Sequence, residues 1–98
     1  YPDCRFAMWS LAKLHDALKH YDLAAQTYGR LADAYEKIPL AFRSAGATRY
    51  FQAQRCYAAG DMEGAAMACM RLLDLCKNIP CEECGEGEAL LKKITGGK

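Results

Sequence analysis

Six cysteines stand at positions 4, 56, 69, 76, 81 and 84. Cys76, Cys81 and Cys84 make the densest set of metal-ligating side chains in the chain. The run Cys81-Glu82-Glu83-Cys84-Gly85 has the form of one zinc-ribbon knuckle, in which two thiolates take one side of a tetrahedral ion and glycine permits the tight turn. Cys76 supplies a third sulfur in that reading. A second pair at the same spacing is missing, so Cys4 or a histidine has to complete the set. The spacing also equals the first three ligands of a plant-type iron-sulfur loop, but the remaining features of that loop are absent. Thiol redox chemistry of the thioredoxin kind needs a strand before the helix, and none is predicted. The plainer reading is that the thiols pack as small hydrophobes and hold no cofactor, with zinc as the alternative.

His15-Asp16, His20 and Asp22 are the other titratable groups near one another in sequence. Nucleophilic catalysis requires a base within hydrogen-bond reach of the thiol and a third group that orients it. His15 falls on an apolar stripe and His20 at a turn, so no catalytic set is predicted and the chain reads as non-enzymatic. For nucleic acid, Arg43, Arg49, Arg55, Lys92 and Lys93 beside Tyr50 and Phe51 are the best basic and aromatic set. They do not share one helical stripe, and Glu82, Glu83, Glu86 and Glu88 offset them. Thirteen Lys plus Arg against twelve Asp plus Glu leave a formal charge of +1, with no global field to collect polyanions. Nucleic acid is therefore an unlikely partner.

The elements that position these residues repeat. Ala24-Ala25, Arg30-Leu31, Asp33 and Ile38-Pro39 return as Ala65-Ala66, Arg71-Leu72, Asp74 and Ile79-Pro80, each displaced by 41 residues. Ala12 and Ala17 recur as Ala53 and Ala58, and Trp9, Tyr21 and Asp22 correspond to Tyr50, Met62 and Glu63 at the same offset. A unit of this kind cannot bury its apolar face alone and stacks on a neighbour. Valine is absent, Ile and Thr appear three times each, and Ala and Leu dominate, which favours helix and deprives a sheet of its preferred side chains.

Met8, Leu11, Ala12, His15 and Leu18 follow helical spacing, predicting a first helix over about 4 to 19 that Asp3 would cap. Tyr21, Ala24, Ala25, Tyr28, Leu31, Ala32 and Tyr35 give a second stripe to about 37, before Pro39. The second unit repeats the pattern, with a helix to about Ala59, a turn at Gly60-Asp61 and a helix from Met62 to about Lys77. Its first helix starts at Ser44 or later, because Gly46 weakens any helix drawn through it. Ala89, Leu90, Leu91 and Ile94 make a short terminal helix over about 86 to 94, and residues 95 to 98 are expected to fray.

The expected fold is all-α: a single domain over 1–98 of two stacked helix-turn-helix units, about 5–39 and 46–80, plus a short C-terminal capping helix. Ninety-eight residues at 52% hydrophobic and 26% charged suit one packed domain and no second core. No run approaches the 18 apolar residues of a membrane span, and the start lacks a basic n-region or an initiator Met. No signal peptide is expected, and the chain reads as a mature product or a piece of something longer. Thiols placed within helices point to a reducing setting, cytoplasmic or nuclear.

Helix one's Met8-x-x-Leu11-Ala12-x-x-His15 resembles the W-x-x-L-G-x-x-Y of the tetratricopeptide signature, and Ala24-x-x-x-Tyr28-x-x-Leu31 stands where that family has A-x-x-x-F-x-x-A. Gly60-Asp61-Met62-Glu63-Gly64-Ala65-x-x-x-Cys69-x-x-Leu72 is similar to the family's turn and second helix. Arg49 and Gln52 depart from it, where large apolar residues are usual, and the unit is 41 residues rather than 34. Longer units occur in tetratricopeptide-like proteins such as the soluble NSF attachment proteins, which the Ala-rich, Tyr-rich pairs also resemble.

The resemblance implies a scaffold whose first helices line a concave face that binds a peptide or helix. Its groove positions fall on Trp9, Lys13 and Asp16 in unit one, and on Tyr50, Gln54 and Tyr57 in unit two. The family's two-carboxylate clamp, which needs Lys and Asn at fixed places, is not matched by Trp9 and Lys13. Three aromatics suit a partly apolar peptide or protein partner. The competing expectation is that they pack against an adjacent repeat, the terminal helix or a second copy. A zinc-stabilised regulatory segment built on Cys76, Cys81 and Cys84 is the alternative function.

Overall fold

Among the described residues five helices follow one another: α1 Arg5–Ala17, α2 Tyr21–Glu36, α3 Phe42–Ala58, α4 Met62–Cys76 and α5 Glu83–Ile94, with a 3-10 turn at Pro39–Ala41 leading into α3. They come from a computed structural model that describes residues 5–78 and 82–96. Among these residues there is no strand, and the fold is all-α. The expected cap Asp3 and residues Cys4, Ile79, Pro80 and Cys81 lie outside the described residues.

α2 packs on α1 and α3, and α4 packs on α3 and α5. The molecule is consequently a slab, 45 × 33 × 18 Å. Small residues set the helix spacing. Ala12, Ala24, Ala45, Ala53 and Ala65 have no exposed surface, and Ala25 and Ala68 almost none, so backbones approach closely across each contact. Tyr28, Leu31, Leu72 and Cys69 fill what remains and are the largest fully buried side chains. Each buried leucine is worth roughly 2 kcal/mol against leaving it in water. Gly29 belongs to the same device: a Cβ there would stand 2.9 Å from the amide nitrogen of Gln52 on α3.

The 41-residue repeat is visible in the coordinates. α1 and α3 end at Ala17 and Ala58, and α2 and α4 begin at Tyr21 and Met62. The intervening turns share their hydrogen bonds. His20 N–H donates to the His15 carbonyl at 2.9 Å, as Asp61 N–H does to Cys56 at 2.9 Å. Lys19 N–H reaches Asp16 at 3.0 Å, as Gly60 reaches Tyr57 at 3.1 Å. Both turns need a left-handed residue, φ +61° at Lys19 and +86° at Gly60.

Two departures from the sequence expectation concern α3 and α5. α3 begins at Phe42, earlier than expected, with Gly46 buried inside the helix and not breaking it. α5 begins at Glu83, three residues early, with Glu83 and Glu86 in its first turn and Lys92 and Lys93 in its last, each sign where the helix dipole favours it. It packs on both α3 and α4. It starts 41 residues after α3 and buries Gly87 41 residues after buried Gly46. A Cβ on Gly87 would run into Leu72.

Arg49, 3% exposed, fastens α2 to α3. Its Nε donates to Glu36 at 2.6 Å, Nη1 to Gln52 at 2.9 Å and Nη2 to Asp33. Arg71 of α4 reaches the other Glu36 oxygen at 3.3 Å. The buried hydroxyls of Thr27 and Thr48 donate to the carbonyls of Leu23 and Ser44, four residues back, so neither is left unpaired.

Candidate functional site

Trp9 on α1 and Phe51 on α3 lean towards each other over Tyr28 of α2. Trp9 meets Tyr28 edge-on with centroids 5.9 Å apart and Phe51 at 5.9 Å, and Tyr28 and Phe51 are 5.6 Å apart. Tyr50 continues the row 6.5 Å beyond Phe51. Trp9, Phe51 and Tyr50 are each partly buried, Trp9 and Phe51 against the core of Ala12, Ala24 and Tyr28, so each is held while part of the residue stays open to solvent. Exposed Lys13, one turn along from Trp9, places its ammonium 4.8 Å from that ring's centroid. The result is an aromatic strip running from α1 to α3.

Arg55 lies beneath the strip. Its Nε and Nη2 donate to the two carboxylate oxygens of Asp16 at 2.8 Å each, a bidentate bridge from α3 to α1, and its guanidinium lies 5.6 Å from the Tyr28 ring and 5.9 Å from Phe51. Nη1 donates to Gln54 at 2.8 Å, and the Tyr28 hydroxyl donates to Asp16 at 3.0 Å. Arg55 hydrogen bonding holds the Asp16 carboxyl below its ordinary range. Burial, reinforced by the bond to Asp16, pushes the Tyr28 hydroxyl up to about 12.

In unit two, Gln54 donates to the Tyr50 oxygen at 3.1 Å. Burial raises the Tyr50 hydroxyl, and the Glu86 carboxylate of α5 adds to the shift. Lys93 of α5 stands 5.2 Å from the Tyr57 centroid, and Tyr57 packs in the cluster that holds Ile94. Phe51 therefore links two sets, Trp9 with Lys13 on α1 and Tyr50 with Gln54 on α3. Asp16 spends its carboxylate inside the fold, and Tyr57, two turns further along α3, is tied to α5.

Phe51 and Arg55 are the residues that spacing alone did not place in the site. The available signal was charge: Arg55 occupies the register position of Leu14 in unit one, where an arginine needs a carboxylate within reach. Among the basic residues read for nucleic acid, Arg49, Arg55 and Lys92 each pair with carboxylates, the last with Glu88 at 3.7 Å.

The cysteine expectations change. Cys76, the last residue of α4, and Cys84, in the first turn of α5, are joined in a disulfide. Bonded sulfurs are not thiolates, so these two do not serve as the expected zinc ligands, and Cys81 lies outside the described residues. The expectation of six thiols in a reducing setting fails for this pair. Among the described residues no group of three His, Cys, Asp or Glu is placed to hold a metal ion. Cys56 and Cys69 are free and buried, and burial raises both thiols, Cys69 to about 11, which keeps them protonated at neutral pH. No described helix is long and apolar enough to cross a membrane.

No family model, curated protein or solved structure matches the chain.

Proposed function

We propose that the chain is a non-enzymatic helical-repeat module, similar to tetratricopeptide scaffolds, that binds a peptide or helix of a partner protein through the strip formed by Trp9, Lys13, Phe51, Tyr50 and Gln54. The observation that carries this reading is the continuous row of partly open rings across two helices, fixed from below by Tyr28 and the Arg55–Asp16 bridge. Rings already ordered in the free protein lose little entropy on binding, and tryptophan and tyrosine commonly dominate such contacts. Lys13 and Gln54 add polar groups that orient a backbone or carboxylate.

Trp9 is the only tryptophan, so its fluorescence reports on the strip directly. Selection from a displayed library of amphipathic and extended peptides should yield ligands that change Trp9 emission on saturable titration. Tyr50→Ala and Lys13→Ala should each weaken them about tenfold, Lys13→Ala with little change in melting temperature because that side chain is exposed. Ligands that leave Trp9 emission untouched, or bind both variants at full strength, contradict the proposal.

A further inference from the structure

We propose that the outer face of α1 is the contact surface of a two-fold dimer between copies of this chain. Ala7, Leu11, Leu14 and Leu18 follow one another at i, i+4, i+7 and i+11 and lie on a single face, flanked by Ser10 and Ala17 and edged by His15. All six of those Ala, Leu and Ser residues are exposed, the leucines by 44, 54 and 55%. The charged residues of α1, Arg5, Lys13 and Asp16, fall on the other half of the helix. Lone exposed leucines are ordinary, but a charge-free leucine face one whole helix long is a docking surface.

The repeat shows that this face docks in the other unit. Its register partners, 41 residues on, are Thr48, Gln52 and Arg55 of α3 and Ala59 just after that helix. Thr48 is 2% exposed, Gln52 lies against Gly29 of α2, and Arg55 is bonded to Asp16 of α1. α3 thus sits on the preceding pair through the face that α1 leaves open, and α1 carries leucine at 11 and 14 where α3 carries Gln and Arg.

Charge selects the occupant. A face without charge is complementary to itself, and an isologous antiparallel pair of α1 helices brings leucine to leucine with no ion desolvated. The opposite end of the molecule fits it poorly. α5 exposes Glu86, Glu88, Lys92 and Lys93, and Met67 and Met70 of α4 stand among Arg30, Asp33, Arg71 and Asp74, so head-to-tail stacking would bury charges. A single 13-residue helix is roughly 20 Å long, at the small end of specific interfaces, so a weak, concentration-dependent dimer is expected.

Sedimentation equilibrium from roughly 10 μM to 1 mM tests it. A monomer–dimer equilibrium is expected, weakened at least tenfold in Leu14→Glu and in Leu14→Lys, with unchanged helical circular dichroism because Leu14 is already half exposed. An equimolar mixture of the two variants should recover part of the dimer, since the two opposite charges then share one apolar contact. Tyr50→Ala, on the aromatic strip, should leave association as it is, which separates this surface from the proposed peptide site. A chain monomeric throughout the range, a dimer indifferent to Leu14→Glu, an open ladder of larger species, or a mixture that stays monomeric overturns the inference.

Discussion

The turn at 18–20 and the turn at 59–61 carry the same hydrogen bonds at the same register, yet they are written in different residues. The second uses Gly60 for the left-handed position and Asp61 for the cap, where Asp61 Oδ1 accepts from Gly64 N–H at 2.9 Å. The first puts Lys19 in the left-handed position and His20 at the cap, with no side-chain cap bond. The cores differ in the same way. Leu31 and Leu72 match, but buried Tyr28, bonded to Asp16, answers to buried Cys69. Small residues and turn geometry repeat because they set how helices meet. The residues that differ decide how each unit is held together and what its faces touch.

The largest way to break the comparison is in the core. Tyr28→Ala removes a wholly buried ring that also supports Trp9 and Phe51, and should cost about 3 to 5 kcal/mol in urea denaturation. Cys69→Ala at the matching position removes one sulfur and should cost about 1 kcal/mol. Equal losses would mean that the units are packed alike.

The turns sharpen it at smaller scale. Lys19→Gly relieves a left-handed side-chain-bearing residue and should stabilise the protein by about 0.5 to 1 kcal/mol, and Gly60→Lys should destabilise it by about 1 kcal/mol. A loss of stability in Lys19→Gly would show that the Lys19 side chain contributes more than its backbone costs.

Much of this was legible in the residues. The offset of 41 marked the alanine contacts, and Gly60-Asp61 announced its turn. Lys19 hid its turn, because lysine reads as a helix former and only the register with Gly60 reveals the backbone it adopts. α3 was the least legible helix: Thr48 and Arg49 are buried in it, so its inner face does not read as an apolar stripe. The buried guanidinium of Arg49 depends on Asp33 and Glu36, supplied by a different helix, and sequence spacing carries no such depth. The pairing of Cys76 with Cys84 likewise depends on where α5 lands.

The finest distinction is one of pH. Asp16 is held below its ordinary 3.8 by Arg55, so the bridge contributes stability above about pH 4 and loses it as pH falls through the lower folded value. Tyr28, raised to about 12, contributes below its ordinary 10.0 and loses that contribution as pH climbs through 12. Asp16→Asn should therefore flatten the acid limb of a stability profile, and Tyr28→Phe the alkaline limb, with urea midpoints as the measure. A wild-type acid limb retained in Asp16→Asn would assign acid sensitivity to other carboxylates.

The central claim is that recognition happens on the strip that unit one and unit two build together. Mapping amide and indole shifts of the labelled protein while a selected peptide is added tests it most directly. The account predicts that the Trp9 indole, Lys13, Tyr50, Phe51 and Gln54 move together and saturate with one constant. Shifts confined to the α4 surface around Met67 and Met70, with the Trp9 indole still, would contradict it.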